Sequence, residues 1–185
     1  MIDLPDFSPL RTTASIGPPT RATLDRLDHL LVVAASARSP ALARLPHGKQ
    51  LASLLARAQR NGDDFASSRA TNARATSLTI GAFTATKGFA ALTRAARTIR
   101  ECLRDKPRAL GIAFVGFDAA AERVAAESLL AAASAAAFAL PEFKATRKMR
   151  PSTRLASLRL MTTHGDVDLA TTRALALGNN VARSP

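Results

Sequence analysis

Few residues in this chain carry a type and spacing able to do chemistry. Three histidines, His29, His47 and His164, lie far apart, and none stands at a His-x-x-x-His or His-Glu spacing. No Cys-x-x-Cys occurs either, so no metal ligand is assigned. Each histidine is read as structural or solvent-exposed, with His47-Gly48 as a loop turn that opens a helix. There is no Gly-x-Ser-x-Gly, no Walker A loop and no Gly-x-Gly-x-x-Gly. Gly116-Phe117-Asp118 follows an apolar run and precedes a helical one, where backbone N–H groups could meet a phosphate. An N-cap at Asp118 explains the same turn, and its carboxylate would repel an anion. Carboxylates number only 14. Asp63-Asp64 reads as a solvated turn, and Asp166 and Asp168 as stabilising the positive end of a last helix. No catalytic residue is assigned.

The one constellation above background is basic. Lys144, Arg147, Lys148, Arg150, Arg154 and Arg159 follow one another with no acidic neighbour before Asp166. Positive charge along one surface is what phosphate neutralisation requires, so these six are the candidate polyanion site. No aromatic residue interleaves with them after Phe143, so base stacking is not indicated, and a solvated loop is the competing reading. The whole chain carries a formal charge of +12, which predicts salt-sensitive attraction to polyanions. A solvated basic surface, or one face of an assembly whose other part is acidic, accounts for the same charge.

A length of 185 residues fits one domain with room for a core. The hydrophobic fraction of 47% suits a folded protein, although much of it is alanine. With no Trp and no Tyr, the core must rest on Leu, Val, Ile and eight Phe. The single cysteine, Cys102, excludes an internal disulfide and fits a reducing compartment. Its setting, Arg100-Glu101-Cys102-Leu103, is a helix end, where a small buried hydrophobe is expected rather than a nucleophile. The N-terminus lacks a basic start followed by an apolar run, so no secretory signal is read there. No window approaches the roughly 18 uninterrupted apolar residues of a membrane span. A cytoplasmic protein is expected, with no membrane partner.

The elements that must position these residues alternate. Residues 1–23 are rich in Pro, Ser and Thr and read as a loose arm or a short edge strand plus loop. Asp28 to Ala35 is an apolar run of the kind buried on both sheet faces. Lys49 to Gln59 has helical spacing in Leu51, Leu54, Leu55 and Ala58, ended by Asn61-Gly62. Phe65 to Arg74 is polar and ambiguous. Ser77 to Phe83 alternates as a strand, with Leu78, Ile80 and Ala82 on one face. Lys87 to Arg104 is a helix whose apolar stripe is Phe89, Leu92, Ala96, Ile99 and Leu103, closed by Pro107. Ala109 to Val115 is a buried strand, followed by an alanine-rich helix to about Phe138. Leu155 to Met161 is a strand with Leu158 and Leu160 facing one way, and Asp166 to Arg183 a final helix. This alternation argues for an α/β sandwich, a mainly parallel or mixed sheet covered on both faces.

Several of these segments resemble the N-terminal domain of the leucyl aminopeptidase family, the M17 metallopeptidases. The run Ala109-Leu110-Gly111-Ile112-Ala113-Phe114-Val115-Gly116 is similar to that domain's third major strand. The helix ending Ala136-Ala137-Phe138, then Glu142-Phe143-Lys144 and the basic tail, resembles its following helix and its y-x-Lys-[Ser/Thr]-x-Lys loop. Leu155 to Met161 and Arg173 to Arg183 resemble the next strand and the helix entering the catalytic domain. Pro46-His47-Gly48 and the Lys87–Arg104 helix fit the same arrangement. The resemblance spans roughly Leu30 to Arg183 and includes no catalytic signature.

The resemblance implies a macro-domain-like three-layer sandwich, with a mixed, mostly parallel sheet and helices on both faces. It implies an N-terminal domain over 1–164, with 1–23 as its loosely structured arm, and a linker helix over 165–185 toward an absent catalytic domain. The parent family removes N-terminal residues from peptides with two divalent metals, zinc or manganese. Its metal ligands and its Asn-Thr-Asp-Ala-Glu-Gly-Arg-Leu motif lie in that second domain and are not in this sequence. The family's Leu/Pro-Pro-Asn continuation is also missing, since the chain ends Arg183-Ser184-Pro185. This chain alone is therefore expected to be inactive and to hold no cofactor. Its expected role is assembly and regulation, with the catalytic domain of the same protein and further copies as partners. The alternatives are a basic DNA-binding module, since some family members bind DNA, or, from the macro-like fold, a module for ADP-ribose or a related nucleotide.

Overall fold

The computed structural model describes residues 10–83, 89–137, 155–165, 167 and 169. Six strands form one sheet: β1 (Arg11–Ile16), β2 (His29–Ala34), β3 (Phe65–Arg69), β4 (Ser77–Ala82), β5 (Ala109–Val115) and β6 (Ser157–Thr162), in the order β1-β6-β5-β2-β4-β3. All neighbours pair in parallel except β3, which runs antiparallel to β4 at the edge. The helices are α1 (Arg21–Leu24), α2 (Gly48–Arg60), α3 (Phe89–Cys102) and α4 (Ala119–Ala137). The expected α/β sandwich with a mixed, mostly parallel sheet is thus what the chain forms.

Every residue of β2 is buried, because this central strand has helices over both faces. Successive side chains point to opposite faces, so the strand feeds two cores. Leu30, Val32 and Ala34 join Leu78 and Ile80 of β4 beneath Leu51 and Leu55 of α2. Leu31 and Val33 join Ile112, Leu158 and Leu160 beneath α3 and α4. The expected faces of β4 and β6 are therefore the observed ones. Asp28, just before β2, ties the starts of β2 and β5 together: its Oδ2 accepts from the backbone N of Arg108 at 3.0 Å and of Ala109 at 2.9 Å.

Two segments that the sequence leaves open take a definite form. Phe65–Arg69, within the ambiguous polar stretch, is the antiparallel edge strand β3. Its serines hide it from a hydrophobicity reading, because an edge strand needs only one partner and a partly apolar face. Of the two readings for residues 1–23, residues 11–16 adopt the edge strand, which pairs with β6.

The apolar stripe expected on α3 is rotated. The buried positions are Ala91, Ala95, Thr98, Ile99 and Cys102, whereas Phe89 is 84% and Leu92 46% exposed. The reason is the neighbour. α3 lies against α4, whose buried face includes Ala125, Ala126, Ser128 and Ala133, and small side chains let two helices approach closely. Alanine spacing, not the largest side chains, thus sets the inward face.

The α4 start follows expectation. Gly116 turns at φ +75°, and Asp118 Oδ1 accepts from the Ala121 N–H at 2.7 Å as the N-cap. Glu122, in the first turn of α4, is 3% exposed and accepts from the backbone N–H groups of Thr163 (2.9 and 3.0 Å) and His164 (2.9 Å). This carboxylate fastens the loop after β6 to the start of α4. Replacing Glu122 with Ala leaves the part-buried N–H groups of Thr163 and His164 without their acceptor and is expected to cost about 2 kcal/mol in urea unfolding. The expected last helix, Asp166 to Arg183, lies outside the described residues apart from Val167 and Leu169, which pack on the α3–α4 core.

Candidate functional site

Of the basic set, Lys144, Arg147, Lys148, Arg150 and Arg154 lie outside the described residues, as does the loop that would hold them. Arg159 is described. It sits within β6, between Thr13 of β1 and Gly111 of β5, half-buried, with its Nε withdrawn from solvent and unpaired among the described residues. Its position in the middle of a strand ladder differs from that of a loop cation.

In an open α/β sheet the usual ligand crevice lies beyond the carboxyl ends of the strands, where the chain switches direction across the sheet. Here that point falls between β2 and β5. There a Cβ on Gly116 would meet Ser39 Oγ at 2.5 Å, and the Asp118 carboxylate caps the α4 N-terminus. Nearby, His164 Nε2 donates to the Phe117 carbonyl at 2.7 Å, which ties the ring to the turn. The phosphate reading of Gly116-Phe117-Asp118 gains no cradle from this arrangement.

The polar concavity lies at the other end of the sheet, on the α3 face. His29 opens β2, and Ser77 and Thr79 follow on β4 in register with His29 and Leu31. Ser67 and Arg69 of β3 pair with Thr79 and Ser77. Glu101, Arg104 and Asp105, at the carboxyl end of α3 and in the 3-10 turn Leu103–Asp105 that extends it, close the rim. The cavity measures about 380 Å³, within the range of small-molecule sites.

Its floor is a chain of hydrogen bonds. His29 Nε2 lies 2.9 Å from Thr79 Oγ1, and Thr79 Oγ1 lies 2.9 Å from Ser67 Oγ. His29 Nδ1 is buried without a partner among the described residues. Ser77 Oγ donates to Asp105 Oδ2 at 3.0 Å, and Arg104 Nη1 donates to both Glu101 oxygens at 3.0 and 3.1 Å. Burial pushes the His29 imidazole down to about 4, against the opposing pull of Asp105 and Glu101. The ring is therefore neutral near pH 7 and too weak a base for proton abstraction there. With no carboxylate bonded to Nδ1, the chain of hydroxyls also lacks the orienting third member of a nucleophilic triad. The arrangement presents hydrogen-bonding groups to a polar molecule.

Cys102 lies beneath this site, fully buried. Burial pushes its thiol up to about 12, with the Thr79 hydroxyl acting the other way. The small-hydrophobe reading holds. A thiol-reactive disulfide reagent is expected to leave Cys102 untouched in the native protein and to label it fully once the chain is unfolded in guanidinium.

Sequence reasoning assigns none of these cavity residues a role. Ser77 and Thr79 alternate with Leu78 and Ile80, and a histidine heads the apolar run of β2. Polar residues on the second face of a covered strand are the available signal. They converge only through the β2-β4-β3 order, which local pattern does not specify.

Among the described residues, no group of three or more His, Cys, Asp and Glu is placed to hold a metal ion. The two divalent metals of the resembled family thus find no fitting donor set among those residues. No helix among the described residues is long and apolar enough to cross a membrane.

No protein-family model and no curated protein matches the chain. Among solved structures, a mutant tomato leucine aminopeptidase is similar in fold, with a TM-score of 0.64 at 11% identity. The likeness covers 93% of this chain and 36% of the aminopeptidase, so the chain spans about a third of that protein's length.

Proposed function

We propose that this chain is a non-catalytic N-terminal domain of a leucyl aminopeptidase-like metallopeptidase, acting in assembly and regulation of a catalytic domain carried elsewhere. The observation that carries this reading is the shared fold: 93% of the chain matches 36% of a leucine aminopeptidase. That share is the size of one domain of a larger enzyme. The sequence resemblance over Leu30 to Arg183 supports the same reading from the residues, strand by strand. The two-metal peptide hydrolysis of such an enzyme would belong to the other domain. Assayed alone with leucine-p-nitroanilide and manganese, the purified chain is expected to give no turnover. Hydrolysis by the pure chain would place the chemistry within these residues and end the proposal.

A second reading, binding of DNA, rests on the +12 charge. It predicts retardation of duplex DNA that weakens steeply as salt rises. Retardation indifferent to salt, or none at physiological salt, removes it.

A further inference from the structure

We propose that the cavity between α3 and the β2-β4-β3 edge of the sheet binds a small zwitterion of the α-amino acid class, one with a polar side chain. The inference does not depend on the domain assignment above. Its first support is the charge around the rim. Arg69 and Asp105 stand on opposite sides of Ser77: Arg69 is its cross-strand partner on β3, and Asp105 accepts its hydroxyl at 3.0 Å. The two are not ion-paired with each other, and Arg69 has no hydrogen-bond partner among the described residues. The remaining rim charges, Glu101 and Arg104, already satisfy one another.

A lone anion would meet Asp105, Glu101 and the negative carboxyl end of α3; a lone cation would meet Arg69 and Arg104. A ligand carrying both charges a few bonds apart meets each with its complement. Its carboxylate lies on the Arg69 guanidinium, and its ammonium lies toward Asp105 and the last carbonyls of α3.

The second support is the floor. His29 is 3% exposed and lines the cavity with Nδ1 unpaired, while Nε2 is held by Thr79. A buried ring nitrogen without a partner is costly, and a small tilt of the ring toward the cavity would let a polar group of the ligand meet it. An aliphatic side chain would leave it orphaned, so the site discriminates in favour of a hydroxyl or amide.

The test is calorimetry on the full chain with L-threonine, L-serine, L-asparagine and L-glutamine, each to about 10 mM, beside L-valine, N-acetyl-L-threonine, L-threonine amide and inorganic phosphate. L-threonine is expected to bind, as is at least one of the other three polar amino acids. Valine and the two singly charged threonine forms bind about tenfold more weakly than threonine, or not at all. Arg69→Gln, at an exposed position that leaves the fold intact, reduces binding by about the same factor. The proposal is overturned if no polar amino acid gives heat, if valine matches threonine, if blocking either charge changes nothing, if Arg69→Gln binds like the parent, or if phosphate binds in preference.

Discussion

Acidifying the protein from about pH 7 to about pH 4 is expected to remove about 3 kcal/mol of folding stability through His29 alone. The unfolded imidazole takes up a proton near its ordinary 6.5, while the folded one, buried against Thr79, resists until about 4. Between those values the unfolded chain binds more protons than the folded one, so stability falls as pH falls. Below about 4 both states are protonated and this contribution no longer changes. His29→Gln keeps a polar group for Thr79 but cannot titrate. Urea midpoints compared across this range should converge for the two proteins on the acid side, the parent falling toward the variant. Parallel pH profiles would show that His29 is not buried as described.

Gly48→Ala is expected to cost about 3 kcal/mol, at the upper end of overpacking. A Cβ at this first position of α2 would run into the Leu42 carbonyl oxygen, and would sit 2.9 Å from the Leu42 carbonyl carbon and 3.2 Å from the Ala43 Cα. These are backbone atoms of the preceding 3-10 turn, Pro40–Arg44, which buries Leu42, and they cannot rotate aside. The helix start must shift, taking Leu51 and Leu55 with it. Gly62 at the other end of α2 is the comparison. It turns at φ +79° with nothing within 4 Å of an added methyl, so Gly62→Ala meets only backbone strain of about 1 kcal/mol. Thermal or urea unfolding of the pair checks this ordering, and equal losses would contradict it.

Much of the fold is legible in the sequence because the buried strands are apolar over their whole length. His29–Ala34 and Ala109–Val115 announce a covered parallel sheet, and Leu158 and Leu160 orient β6 by simple alternation. The β3 edge is not legible, since Ser67 and Ser68 satisfy pairing without apolar signal. The inward face of α3 is misread because the large side chains Phe89 and Leu92 point outward where alanines meet α4. The cavity is still less visible. Its histidine, its serines and Arg69 belong to strands separated in sequence, and only the crossover from β2 through α2 and β3 to β4 makes them neighbours. The basic set Lys144 to Arg154 is the most visible polar feature in the sequence, and it lies outside the described residues.

If this fold serves as the non-catalytic part of an aminopeptidase-like protein, capture from the cells that make it should bring the activity down with it. An antibody against the chain would draw down its native form, which is then assayed with leucine-p-nitroanilide and manganese beside the purified chain. Manganese-dependent hydrolysis is expected in the captured material and none from the chain alone. Captured material without peptidase activity, or activity in the pure chain, would contradict it.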